Sequence, residues 1–115
     1  MATLEELTKK IIAFRDARDW RQFHNPKDLA LSLVLEAAEV LEHFQWKSAS
    51  EIDNYIKTNK NDIGEELADV LYWVLLMSKD LDIDISQALK DKMRQNEHKY
   101  PIEKAKGKHT KYNKL

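Results

Sequence analysis

Two acidic pairs stand out in this chain, Glu36-x-x-Glu39 and Glu66-x-x-Asp69. Each lies within an apolar run of helical periodicity, LALSLVLEAAEVLEHF and IGEELADVLYWVLLM. Carboxylates three residues apart on a helix project from one face, their Cβ atoms roughly 5–6 Å apart. Two such helices packed together bring four carboxylates into one patch. At about 5 Å and an effective dielectric near 20, each like-charged pair costs about 3 kcal/mol. A cation or a proton must relieve that repulsion. Mg²⁺ suits the donors, because it takes hard oxygen ligands and completes its shell with water and phosphate. Acidic pairs are ordinarily solvated helix faces, but here Ala37, Ala38, Leu67 and Ala68 separate the acids. Glu65, four residues before Asp69, competes with Glu66 for the fourth position.

A second constellation is Lys92-x-x-x-Asn96-x-x-Lys99-Tyr100. Its cations and amide fall on successive turns of one helix face and could hold phosphate oxygens. The plain alternative is an exposed last turn whose lysines complement the helix dipole. A third group is aromatic: Trp20, Phe23 and His24 in one segment, and Trp46 further on. Aromatic faces stack nucleobases, although both tryptophans could instead close the end of a core. Trp73, one turn beyond Asp69, reads as core. His43, four residues after Glu39, reads as a support for the acids or as an exposed side chain.

The elements that must position these residues are helices. Thr3 caps the first, with Leu4, Leu7, Ile11 and Phe14 as its apolar stripe. Trp20 to Pro26 reads as a loop in which Asn25 caps a second helix, from Pro26 to about Trp46. A short third helix, near Glu51 to Lys57, is capped by Ser50, and Lys57 to Asn61 reads as a loop. Asp62 then caps a fourth helix, Ile63 to Leu81, apolar around nearly its whole circumference. Asp84 caps a fifth, Ile85 to about Lys99, which must stop before Pro101. The expected organisation is a helical domain over residues 1–101 and a basic, mobile tail over 102–115.

Composition agrees. Among 115 residues there are only two Gly and two Pro, too little turn chemistry for a many-stranded sheet. The expected fold class is therefore all-α, a compact bundle of four to five helices. A net charge of −1 argues against a duplex nucleic-acid partner. The absence of cysteine excludes disulfides, zinc–thiolate centres and thiol catalysis. Met1 to Glu6 lacks the pattern of an export signal, and Val70 to Ser78 is too short an uncharged stretch to span a bilayer. A cytoplasmic location without membrane contact is expected. One short chain cannot readily bury every face of Ile63 to Leu81, so a homo-oligomer is expected as well.

Together these segments resemble the all-α nucleoside triphosphate pyrophosphohydrolases, the MazG-like superfamily, and within it the dCTP-pyrophosphatase-like branch. The likeness rests on RDWRQFHNPKDLALSLVLEAAEVLEHFQWK, EELADVLYW and KMRQNEHKYP, and extends from about Leu7 to Lys108. It implies hydrolysis of the α–β phosphoanhydride of a (deoxy)nucleoside triphosphate, dCTP or a modified dCTP first among them, to monophosphate and pyrophosphate. By this likeness Glu36, Glu39, Glu66 and Asp69 hold Mg²⁺, with Mn²⁺ a substitute. Glu36 or Glu39 then orients or deprotonates the attacking water. Lys92, Asn96, Lys99 and Tyr100 contact phosphates, while Trp20, His24 and Trp46 shape the base pocket. Dimers or tetramers are also implied. Where the branch often carries glycine before each glutamate, this chain has Leu35 and Ala38. Two other readings compete. A di-iron carboxylate bundle needs Glu-x-x-His pairs, and none is present. A non-catalytic nucleotide-binding or assembly module would need no acidic quartet.

Overall fold

The computed structural model describes every residue, Met1–Leu115, and all its regular structure is helical. Helix α1, Leu4–Ala17, starts where Thr3 Oγ1 accepts the Glu6 N–H at 3.1 Å. A 3-10 turn, Arg21–Phe23, follows. Helix α2 spans Pro26–Glu42; Asn25 Oδ1 accepts the Asp28 N–H at 2.9 Å and Pro26 opens the first turn. Both caps satisfy amides that a helix start leaves unpaired.

Helix α2 ends at Glu42, four residues short of the expected Trp46. The Phe44 N–H turns to the Leu41 carbonyl at 2.9 Å, and Trp46 takes a left-handed φ of 68°. A left-handed residue commonly ends a helix, but the position normally falls to glycine.

Helix α3, Ala49–Asp80, corrects two further expectations. Its cap is Ser48 rather than Ser50: Ser48 Oγ accepts the Glu51 N–H and Glu51 Oε1 accepts the Ser48 N–H, a reciprocal box. The segment Lys57 to Asn61, expected as a loop with Asp62 as the next cap, instead stays helical across a kink at Asn59 (φ −124°, ψ 20°). Asn59 Nδ2 donates to the Tyr55 carbonyl at 2.9 Å, competing with the backbone without breaking the helix.

Helix α4, Ile85–Lys99, begins at Asp84, whose Oδ1 accepts the Gln87 N–H at 3.1 Å. The expected mobile tail carries a short helix α5, Ile102–Ala105, and a 3-10 turn, Tyr112–Lys114. Tyr112 packs edge-on against Tyr100 at 6.1 Å, with Lys99 Nζ 4.8 Å from its ring.

The chain forms two compact units, Met1–Asp82 with α1 to α3 and Ile83–Leu115 with α4 and α5. In the first, α3 packs against both α1 and α2. Leu29, Leu75 and Leu76 are fully enclosed, together with Arg15 and Ser78. The apolar circumference expected of residues 63–81 is thus satisfied only toward the end of α3, while Leu67 and Leu71 stay exposed. No helix is long and apolar enough to cross a membrane.

Candidate metal centre

Helices α2 and α3 bring Glu36, Glu39, Glu66 and Asp69 together. One carboxylate oxygen from each lies within 4.8 Å of all the others. Each helix supplies two ligands three residues apart, so the local geometry of two helices fixes all four origins. Glu66, not Glu65, is the member of this group, and Glu65 is exposed outside it.

Glu36 and Glu66 are half-buried, and the Oε2 atom of each is sealed from solvent with no hydrogen-bond partner. Such orphaned acceptors are costly in a folded chain. Burial, then the charge of Glu39 and a hydrogen bond with it, and then the charge of Asp69 raise the Glu36 carboxyl; a hydrogen bond with Trp73 opposes them. Glu66 is pushed up to about 7, first by hydrogen bonding with Glu39, then by burial and the charges of Glu39, Asp69 and Glu36. Four crowded acids therefore retain a proton near neutrality, and a divalent cation could replace it. All-oxygen donors with open lone pairs fit a hard ion such as Mg²⁺ or Mn²⁺.

The sequence-derived aromatic group is placed unevenly. His24 is half-buried and packs edge-to-face on Trp73 at 5.7 Å. Trp73 is thereby the common neighbour of His24 and Glu36, a role that its reading as core missed. Trp20 packs edge-on against Phe14 at 5.6 Å, with Arg18 over both rings. Trp46 is 92% exposed in its left-handed conformation. For a bulky residue that conformation is an outlier, costing on the order of 1–3 kcal/mol. His43 bonds the Tyr55 hydroxyl through Nδ1, serving the α2–α3 corner rather than the acids.

Two residues without a sequence signal support His24. Arg15 is enclosed, and its guanidinium donates from Nη1 to Asp80 Oδ2 at 2.7 Å and from Nη2 to Asp80 Oδ1 at 3.0 Å. Nη1 also lies 3.4 Å from His24 Nδ1. Burial, then Arg15, lowers the His24 pKa below 6.5, against the opposing charge of Asp80.

In the second unit, Lys92, Asn96 and Lys99 fall along α4, with Lys92 exposed and the other two half-buried. Tyr100 closes the helix, its N–H donating to the Asn96 carbonyl at 2.8 Å.

Comparison with known proteins adds a family. A model of the MazG-like family matches residues 31–115. The dCTP pyrophosphatase 1 of Mus musculus is 36% identical over 115 residues, covering 98% of this chain and 68% of its own length. The Homo sapiens dCTP pyrophosphatase 1 is 35% identical over the same span. The crystal structure of a pyrophosphatase from Archaeoglobus fulgidus superposes with a TM-score of 0.82 at 41% identity, covering 88% of this chain and 94% of that one.

Proposed function

Because this chain belongs to the MazG-like family, we propose that it hydrolyses the α–β phosphoanhydride of (deoxy)nucleoside triphosphates to monophosphate and pyrophosphate. The favoured substrate is dCTP or a modified dCTP, following the name that its mammalian relatives carry. The observation that carries the reading is the gathering of four carboxylates, two of them with orphaned buried oxygens, on facing stretches of α2 and α3.

Glu36, Glu39, Glu66 and Asp69 would hold Mg²⁺ or Mn²⁺, which supplies charge neutralisation of the triphosphate and polarisation of its phosphoryl group. Glu39, the more exposed of the α2 pair, is the better placed to take a proton from the attacking water. The water oxygen bonds to the α-phosphorus as the bond to the bridging oxygen breaks, and pyrophosphate departs with the electron pair. Lys92, Lys99, Asn96 and Tyr100 carry the donor types that its oxygens need. Trp20, His24 and Trp46 receive the base. The strained, exposed Trp46 gains a function in this reading, since its indole awaits a partner.

Self-association belongs to the same proposal. Leu31, Val34, Leu35 and Leu41 on α2, with Leu67 and Leu71 on α3, are exposed apolar residues that a second copy can cover. Leu35, at the position where glycine is frequent in the branch, faces outward with them. The role is removal of unwanted nucleotides from a cytoplasmic pool.

The test is pyrophosphate release from a panel of nucleoside triphosphates, with and without Mg²⁺, in the native chain and in Glu36→Gln and Asp69→Asn. Loss of about 10²–10⁴-fold in both variants is expected, the scale of a lost proton-transfer or charge-stabilising group. Metal-independent release, or native rates in both variants, would overturn it.

A further inference from the structure

The ion pair of Arg15 and Asp80 has chemistry left over. The two amino groups of the guanidinium each give one hydrogen to a different Asp80 oxygen, at 2.7 and 3.0 Å. The second hydrogen of Nη1 remains, and the ring nitrogen Nδ1 of His24 lies 3.4 Å away. Arginine has no acceptor and does not lose its proton in proteins. Nδ1 must therefore accept, and in a neutral imidazole the proton then sits on Nε2. Arg21 reinforces the arrangement: its Nε lies 3.8 Å from Asp80 Oδ1, and its Nη1 donates to the His24 carbonyl at 3.1 Å. Asp80 thus grips the Trp20–Asn25 segment through two arginines, from the last turn of α3. The His24 ring itself packs against Trp73, which is also a neighbour of Glu36.

We propose that Arg15 and Asp80 are positioning residues that lock His24 in its Nε2–H tautomer, making it an obligate hydrogen-bond donor to an acceptor atom of the nucleobase. The inference rests on the nucleotide reading above and sharpens it. A carbonyl oxygen or an unprotonated ring nitrogen satisfies the donor, whereas an exocyclic amino group does not. A base turned the wrong way leaves a half-buried N–H unpaired. Discrimination arises from that penalty more than from the bond itself.

The primary readout is the long-range ¹H–¹⁵N spectrum of the imidazoles, with His24 assigned by its loss in His24→Gln. The native chain is expected to show an unprotonated Nδ1 and a protonated Nε2 in His24. Asp80→Asn should mix the two tautomers and raise KM for the nucleotide about five- to tenfold, with kcat within about twofold, as for one lost hydrogen bond. If Asp80→Asn does not fold, Arg15→Lys, which keeps the charge opposite Asp80 but loses the second donor, is read in its place. Glutamine presents an amide N–H near the position of Nε2 without needing a tautomer. In a His24→Gln background neither variant should raise KM further.

A native Nδ1–H tautomer, or an unchanged tautomer in the variants, overturns the proposal. So does a KM rise that persists without His24, or one equally large with inorganic tripolyphosphate, which would move the contact to the phosphates. A native chain that hydrolyses no nucleotide sinks the hydrolase reading, and the spectra still decide the contact between Arg15 and His24.

Discussion

Arg15 and Asp80, sixty-five residues apart in sequence, meet as a two-pronged ion pair almost wholly withdrawn from water, with side chains 4% and 11% exposed. Removing one partner leaves the other charge buried. Asp80→Ala should destabilise the chain by about 3–5 kcal/mol, whereas Arg15→Met with Asp80→Leu should cost much less. Chemical denaturation of the three proteins checks this. Equal losses in the single and the double variant would show that the pair is not what the fold depends on.

The same pair has a pH signature. Burial pushes the Asp80 carboxyl up, but the hydrogen bonds and charge of Arg15, with Arg21 and His24, hold it below its ordinary 3.8. A depressed acid contributes stability above its unfolded pKa and loses it as pH falls through the folded value. Thermal melts of the native chain should therefore decline steeply below pH 3.8, and Asp80→Asn should flatten that limb.

The acidic quartet behaves in the opposite sense. With Glu66 raised to about 7, the metal-free fold holds a proton that the unfolded chain has released. Its stability is full below the ordinary carboxylate value of 4.5 and is lost as pH rises through about 7. Binding Mn²⁺ near pH 6 should release protons, measured as a dependence of the calorimetric heat on buffer ionisation enthalpy. Affinity should rise with pH between 6 and 8, and Glu66→Gln should remove both effects. Glu65→Gln should change neither, because Glu65 stands outside the cluster.

Trp46 separates stability from binding. Trp46→Gly removes the left-handed penalty and should stabilise the fold by about 1 kcal/mol. It should also weaken nucleotide binding by about 1–3 kcal/mol, the scale of one base–aromatic stack. Paired melts and titration calorimetry read both, and unchanged affinity would remove Trp46 from the base pocket.

For self-association, Val34→Glu with Leu41→Glu places charge in the exposed α2 face, where both residues are 62% exposed. Light scattering should show an assembly in the native chain and a monomer in the variant. A native monomer at micromolar concentration would refute the interface.

The parts of this molecule that were legible in its sequence are those encoded within single helices. Glu36 with Glu39, and Glu66 with Asp69, reveal their shared face by spacing alone, and Thr3, Asn25 and Asp84 cap by local hydrogen bonds. Ser48-x-x-Glu51 carries an equally local signal, and it caps α3 in place of Ser50. The polar run Lys57 to Asn61 reads as a loop, yet it stays helical, and the Asn59 side chain bonded to the Tyr55 carbonyl accompanies only a kink. The grip of Asp80 on Arg15, and the place of Trp73 between His24 and Glu36, depend on contacts across elements. No periodicity announces such contacts.

The absence of cysteine takes on a different meaning beside the acidic quartet. Residues 36 and 69 lie on separate helices, and an ion shared between them would tie the intervening chain into a closed loop, as a disulfide does elsewhere. Such a tie forms without an oxidant and opens whenever the ion is withdrawn. The local supply of divalent cation would then set how firmly α2 is laced to α3.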